Sequence, residues 1–180
     1  MFQIFDILKS RKAFEIIEFF IENQGEEFYQ SEVSRKLRMS RNTVLKWLSV
    51  LSKKNFLNWR LSGKMKYFRL NAENVVVKQI KILMNVSKLF EVFKYTRSEG
   101  VEIYLYGSMA RGEEDRESDA DILIIGKIER KELIKMIEKA RNTLKREVKP
   151  LVLTPLEYAE LSRKDRILFE NIERGKVRLL

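Results

Sequence analysis

Cysteine and histidine are both absent from this chain of 180 residues. The first absence excludes a disulfide framework and thiolate chemistry; the second removes the usual general base and the commonest zinc ligand. Any catalysis must therefore run on carboxylates, lysine, arginine, serine or tyrosine. No apolar run approaches the ~18 residues of a membrane span, and the N-terminus lacks a signal-peptide layout. The expectation is a soluble, cytoplasmic protein. Glutamine is scarce beside heavy use of lysine, arginine and glutamate, a tendency of thermophile proteins.

What the chain does carry is positive charge. Its 36 Lys and Arg against 26 Asp and Glu give +10 and a pI near 9.7, which points to a polyanionic partner such as nucleic acid or nucleotide phosphate. The excess is uneven, with 14 basic against 7 acidic residues in 1–72 and 22 against 19 in the remainder. Length and apolar content allow two compact modules.

From Phe2 to Asn23, Phe5, Leu8, Phe14, Ile17, Phe20 and Ile21 recur at spacings of three and four, predicting an amphipathic helix. A second short helix follows Phe28, with Gln30 or Ser31 near its cap and Val33 and Leu37 four apart. Ser40 caps a third, in which Val44, Leu48 and Leu51 share a stripe and Arg41, Asn42, Lys46 and Ser49 face elsewhere. Leu45 and Trp47 are large for an exposed face and suit packing against the first helix or a partner chain. The runs FLNWRL and KYFRLN, separated by a Gly-containing turn at 62–65, predict a hairpin.

Three helices and a basic hairpin resemble winged-helix DNA-binding domains of bacterial and archaeal regulators. The resemblance covers about residues 10–72, within an expected winged-helix domain of residues 1–72. It implies DNA as a partner, with Arg41, Asn42 and Lys46 directed to the major groove and Arg60, Lys64 and Lys66 to phosphates. A solvated basic face on a dimerisation or docking module is the alternative. Residues 73–97 read as a connecting helix whose apolar stripe calls for a partner. That partner is either the sheet of the following domain or the same helix of a second copy in a homodimer.

At Val101 the period changes to strand. VEIYLYGS and ADILIIG read as strands, the second apolar enough to be buried. A helix carrying Leu133, Ile137, Ala140 and Leu144 follows, then a strand in REVKPLVLT. Next comes a helix with Thr154 as N-cap and Pro155 at its first position, and last a short helix ended by Gly175. Asp119 and Asp121, two residues apart on a strand, share a face, so their carboxylates repel unless a cation lies between them. Such oxygen ligands suit Mg²⁺, which also accepts phosphate oxygens. Gly107 and Ser108 form a turn whose backbone and hydroxyl suit phosphate, with Arg111 near enough to neutralise charge or to pair with Asp115 or Glu117.

The pattern of Gly107 and Ser108, then Ala110-Arg111-Gly112, then Ser118-Asp119-x-Asp121 is similar to the nucleotidyltransferase motif of the polymerase beta superfamily, in the minimal form of the MNT proteins. It covers residues 98–180. The whole chain is thus expected to be α+β, a winged helix-turn-helix followed by a small mixed-sheet nucleotidyltransferase-fold domain. The resemblance implies Mg²⁺ at Asp119 and Asp121, a nucleoside triphosphate as substrate or ligand held with Gly107, Ser108 and Arg111, and nucleoside monophosphate transfer to a hydroxyl. It also implies a partner protein of the HEPN toxin type. Members of that family carry a third carboxylate on a later strand. Here either Glu147 serves or Lys149 stands in its place, and in the second case the protein is a regulator that binds a nucleotide without transferring it.

Overall fold

A computed structural model describes residues 7, 9–96 and 100–180, in two compact units, Met1–Val77 and Lys78–Leu180. The helical turn expected from Phe2 through Phe5 and Leu8 lies outside the described residues, as do Arg97 and Ser98, where the connecting helix was expected to end and the second domain to begin.

In the first unit, α1 (Arg11–Glu22) is capped by Ser10, whose Oγ accepts from the Ala13 amide at 3.4 Å. Its buried side is Ala13, Ile16, Ile17, Phe19 and Phe20, so the face is rotated away from the Phe14 and Ile21 of the sequence stripe. A two-residue strand, β1 (Phe28–Tyr29), brings the Phe28 ring within 4.7 Å of Phe19. It is too short to carry a period, and the sequence does not announce it. α2 (Gln30–Lys36) starts one residue earlier than its expected caps: the Tyr29 amide is held by Glu32 Oε2 at 3.0 Å. α3 (Arg41–Lys53) is capped by Ser40 as expected, with Thr43 N donating to its Oγ at 3.3 Å. Val44, Trp47, Leu48 and Leu51 form its buried side. Trp47 is therefore core rather than exposed, whereas Leu45 is half exposed.

The strands β2 (Leu57–Ser62) and β3 (Met65–Leu70) pair antiparallel up to Ser62 opposite Met65. Gly63, at φ 59°, makes the tight turn available. β1 adds to β3 in the sheet order β1-β3-β2. Helix, short strand, two helices and a hairpin closed by that strand is the winged helix-turn-helix order.

α4 (Val75–Phe93) begins at the end of the first unit and supplies Leu89, Val92 and Phe93 to the core of the second. Of the two partners expected for its apolar stripe, the second unit's sheet takes this end. That sheet holds β4 (Glu102–Tyr106), β5 (Ala120–Ile125), β6 (Val148–Leu153) and β7 (Val177–Arg178) in the order β6-β5-β4-β7. β5 runs antiparallel to β4 and parallel to β6, so the sheet is mixed. One face packs Ile103, Leu105, Ile122 and Ile124 against α4 and against Met136, Ile137 and Ala140 of α6 (Arg130–Leu144). The other packs Tyr106, Leu123 and Ile125 against Leu161 of α7 (Pro155–Lys164) and Ile172 of α8 (Arg166–Glu173). Covered on both faces, β5 needs the apolar run Ile122–Ile125 that follows Asp121. Between β4 and β5 the Gly-Ser turn is a one-turn helix, α5 (Gly107–Arg111). The described residues thus form eight helices and two small sheets, an α+β chain of the expected class.

Candidate functional site

The polar end of β5 gathers the site. Tyr106, the last residue of β4, lies opposite Asp121, and the chain then turns at Gly107 with φ 72°. A Cβ on Gly107 would run into Asp121 Oδ2. The positive φ favours glycine at this position, and any larger residue would also displace the tip of the Asp121 side chain. Asp119 and Asp121 flank Ala120, whose side chain is fully buried, and alternation puts both carboxylates on one side of the strand. Burial holds the Asp121 carboxyl above the usual aspartate range, and the charge of Asp119 adds to this, against the opposing pull of Lys149 and Arg111.

Parallel pairing of β5 with β6 sets Asp121 opposite Lys149. The Lys149 ammonium pairs with Asp119 Oδ2 at 2.5 Å, and that bond raises the lysine above its ordinary range. Glu147 is turned elsewhere, in an ion pair with Arg141 of α6. Among the described residues no three acidic side chains gather where they could hold a metal ion. The structure therefore brings together Gly107, Asp119, Asp121 and Lys149, and does not bring Glu147 to them. Two carboxylates side by side, one of them desolvated, suit a single divalent cation with further ligands from a nucleotide and water.

Arg111 pairs with neither Asp115 nor Glu117. Its Nε donates to Glu113 Oε2 at 2.7 Å, while one terminal nitrogen is buried without a hydrogen-bond partner among the described residues. Asp115 instead shapes the loop, its Oδ1 accepting from the amides of Glu117 and Ser118 at 3.0 and 2.8 Å. Arg146 donates to the carbonyls of Asp115 and Ser118 at 3.1 and 2.7 Å. Beneath the loop lies a buried charged cluster. Lys81 Nζ donates to the Glu114 carbonyl at 2.6 Å and stands 3.5 Å from its carboxylate, which also accepts from Asn85 at 3.0 Å. Lys81 and Glu114 are 1% and 4% exposed. Burial pushes the lysine below its ordinary range, and Glu114 opposes that. Sequence reasoning missed this cluster, although a signal was present: Lys81 falls four residues after Val77 and three before Met84, on the apolar side of α4.

Replacing Gly107 with alanine is expected to cost at least about 1 kcal/mol, because an L-residue is strained at that φ and Asp121 must also move. Gly25 shares a positive φ, at 92°, but has nothing within 4 Å of an added Cβ. A larger drop in melting temperature for Gly107→Ala than for Gly25→Ala checks the steric part.

In the first unit, Arg41, Lys64 and Lys66 line one groove of about 410 Å³ together with Tyr29, Leu45 and Phe68. Lys66 Nζ lies 3.6 Å from the centre of the Trp59 ring. Asn42 and Lys46 are exposed on α3, with Lys46 5.2 Å from the Trp47 ring. Arg60 is engaged otherwise, its guanidinium bonded to both oxygens of Glu27 at 2.5–3.0 Å and stacked on Tyr67.

The model of the nucleotidyltransferase domain family matches residues 86–173. This part of the chain is of nucleotidyltransferase type. Among solved structures, the chain is similar to HlyU from Vibrio cholerae N16961 at 15% identity and TM-score 0.36, over 44% of this chain and 86% of that one. It is also similar to a provisionally named nucleotidyltransferase from Sulfolobus solfataricus at 23% identity and TM-score 0.32, over 56% and 84%. Both TM-scores are low, and the fold stands on its own strand order and register. No curated protein matches the chain. The family match covers Gly107, Ser108, Arg111, Asp119, Asp121, Glu147 and Lys149, so the nucleotidyltransferase-type domain contains the whole candidate site. No helix among the described residues is long and apolar enough to cross a membrane.

Proposed function

We propose that the nucleotidyltransferase-type domain binds a nucleoside triphosphate with Mg²⁺ at Asp119 and Asp121, and that the winged helix binds DNA. The paired aspartates at the end of β5, set against Gly107 and within reach of Lys149, carry this reading. Asp119 and Asp121 would hold the ion, which supplies charge neutralisation and Lewis-acid stabilisation at the phosphates when bound. Gly107 leaves room for the Asp121 carboxylate, Ser108 offers a hydroxyl, and Arg111 brings a guanidinium with one uncommitted nitrogen. In the transferring form, a hydroxyl of a macromolecule attacks the α-phosphorus, the bond to the β,γ-pyrophosphate breaks, and a nucleoside monophosphate ester remains. The acceptor is nucleic acid or a partner protein, of which a HEPN-type toxin is the class the sequence resemblance suggests.

The pairing of Lys149 with Asp119 favours a second reading, in which the domain binds nucleotide without transferring it and the chain is a regulator. Incubation with labelled ATP, CTP, GTP or UTP, Mg²⁺ and candidate acceptors separates the two. Transfer lost in Asp119→Ala/Asp121→Ala supports the first; binding with no transfer under any condition leaves the second.

For DNA, affinity should fall steeply with salt as neutralised phosphates release counterions. Arg41→Ala, Lys64→Ala and Lys66→Ala should each lower the slope of log K against log salt by about 1. Arg60→Ala should change it little, since Glu27 already occupies that guanidinium. Equal effects of all four would contradict the assignment of the groove as the contact surface.

A further inference from the structure

We propose that Lys149 is a built-in cation of the nucleotide site: its ammonium occupies the charge position that a second divalent ion would need, so the site takes one metal ion only. The inference rests on the metal–nucleotide reading of Asp119 and Asp121 and deepens it.

Three observations carry it. The parallel register holds Lys149 beside Asp121 along the ladder, so its place does not depend on a mobile loop. Its ammonium contacts Asp119 Oδ2 at 2.5 Å, taking one of the carboxylate oxygens that a metal ion would use. The nearest acid in the sequence, Glu147, just ahead of β6, is committed to Arg141. Summing charges, Asp119 and Asp121 give two negatives and Lys149 one positive, with Arg111 acting on Asp121 from nearby. One divalent cation more than neutralises this set. A second would be placed against an ammonium and a metal ion at short range, where like charges repel strongly.

The arrangement has a chemical consequence. A lysine ammonium screens phosphate charge but offers no coordination site at which a hydroxyl could lose its proton. Lys149 therefore leaves room for one metal ion and leaves the acceptor hydroxyl unactivated, and an acid at this position should supply the ligand that a second ion needs.

The test uses the full chain and Mn²⁺ alone, with protein-bound ions counted by the loss of the free-ion paramagnetic signal. Asp119→Ala/Asp121→Ala serves as the blank for adventitious sites. Above that blank, the wild-type chain is expected to bind one Mn²⁺, Lys149→Asp two, and Lys149→Met one with at least about tenfold tighter affinity, as Asp119 is freed. Lys149 is largely exposed, and unchanged melting of the variants confirms that they fold. Two ions in the wild type overturn the proposal, as do variants whose stoichiometry and affinity match the wild type. The metal–nucleotide reading itself fails on a different result, namely no Mn²⁺ above the blank in any chain and no nucleotide bound with metal in calorimetry.

Discussion

Metal-dependent nucleotide binding is expected to fall by at least about 100-fold when Asp119 and Asp121 are both changed to alanine. Loss of a partner that merely orients a metal ligand already costs 10–100-fold, and here both proposed ligands go. The variant should nevertheless remain folded. Asp121 is held above its ordinary range by burial and by Asp119, so its ionised form is a cost to the native state that alanine removes. The one ion pair lost, Asp119 with Lys149, is largely solvent-exposed on the lysine side, and pairs of that kind contribute little. The expected result is therefore a melting temperature unchanged or raised, with binding lost in calorimetry. Binding retained at wild-type strength would remove Asp119 and Asp121 from the site.

The second large effect lies beneath the loop. Lys81→Met is expected to lower the unfolding free energy by about 3–5 kcal/mol, the range for breaking one side of a buried ion pair. It leaves the Glu114 carboxylate buried with the Asn85 amide still donating to it, and deprives the Glu114 carbonyl of the lysine. Lys81→Met/Glu114→Gln should recover part of the loss, since the uncompensated charge is gone while the carbonyl bond is not restored. Urea unfolding of the full chain checks both, and a loss under 1 kcal/mol for the single variant would show that the cluster does not hold the loop. A pH comparison gives an independent check. Lys81 has a folded pKa below its ordinary value of 10.5, so over that alkaline window the unfolded chain binds more protons than the native one. Stability then rises with pH, and the wild type should gain on Lys81→Met as pH climbs toward 10.5.

The elements recovered from the sequence are those with a local signal. Ser40 and Thr154 cap because a hydroxyl precedes an apolar helical period, and Thr154 does so with Glu157 returning to its amide at 2.7 Å. The hairpin follows from Gly63 between two alternating runs. α1 illustrates how far a period reaches: spacing identifies the helix, but which of several adjacent apolar residues faces inward depends on Phe28 and the rest of the core. β1 and β7, two residues each, have no period at all. They exist because β3 and β4 offer unpaired edges to whatever chain passes.

At the site, Asp119 and Asp121 are legible because a period of two puts them on one face of any strand they join. The preference for glycine at 107 is half legible, since the turn is visible in the sequence while the Asp121 carboxylate behind it is not. Glu147 and Lys149 could not be ranked from sequence. Both lie near the head of one apolar run, and only the pairing of Asp121 with Lys149, together with the capture of Glu147 by Arg141, separates them.

By itself, then, the sequence determined the class of each unit, the position of the turn and the pair of acids, because these are written in periods of two and 3.6 and in cap residues that act within a few positions. The tertiary structure alone decided which charge completes the site and what supports it. Lys149 reaches Asp119 through a strand register, and Lys81 meets Glu114 across 33 positions of chain. Such contacts are set by how elements pack and pair, and no local pattern records them.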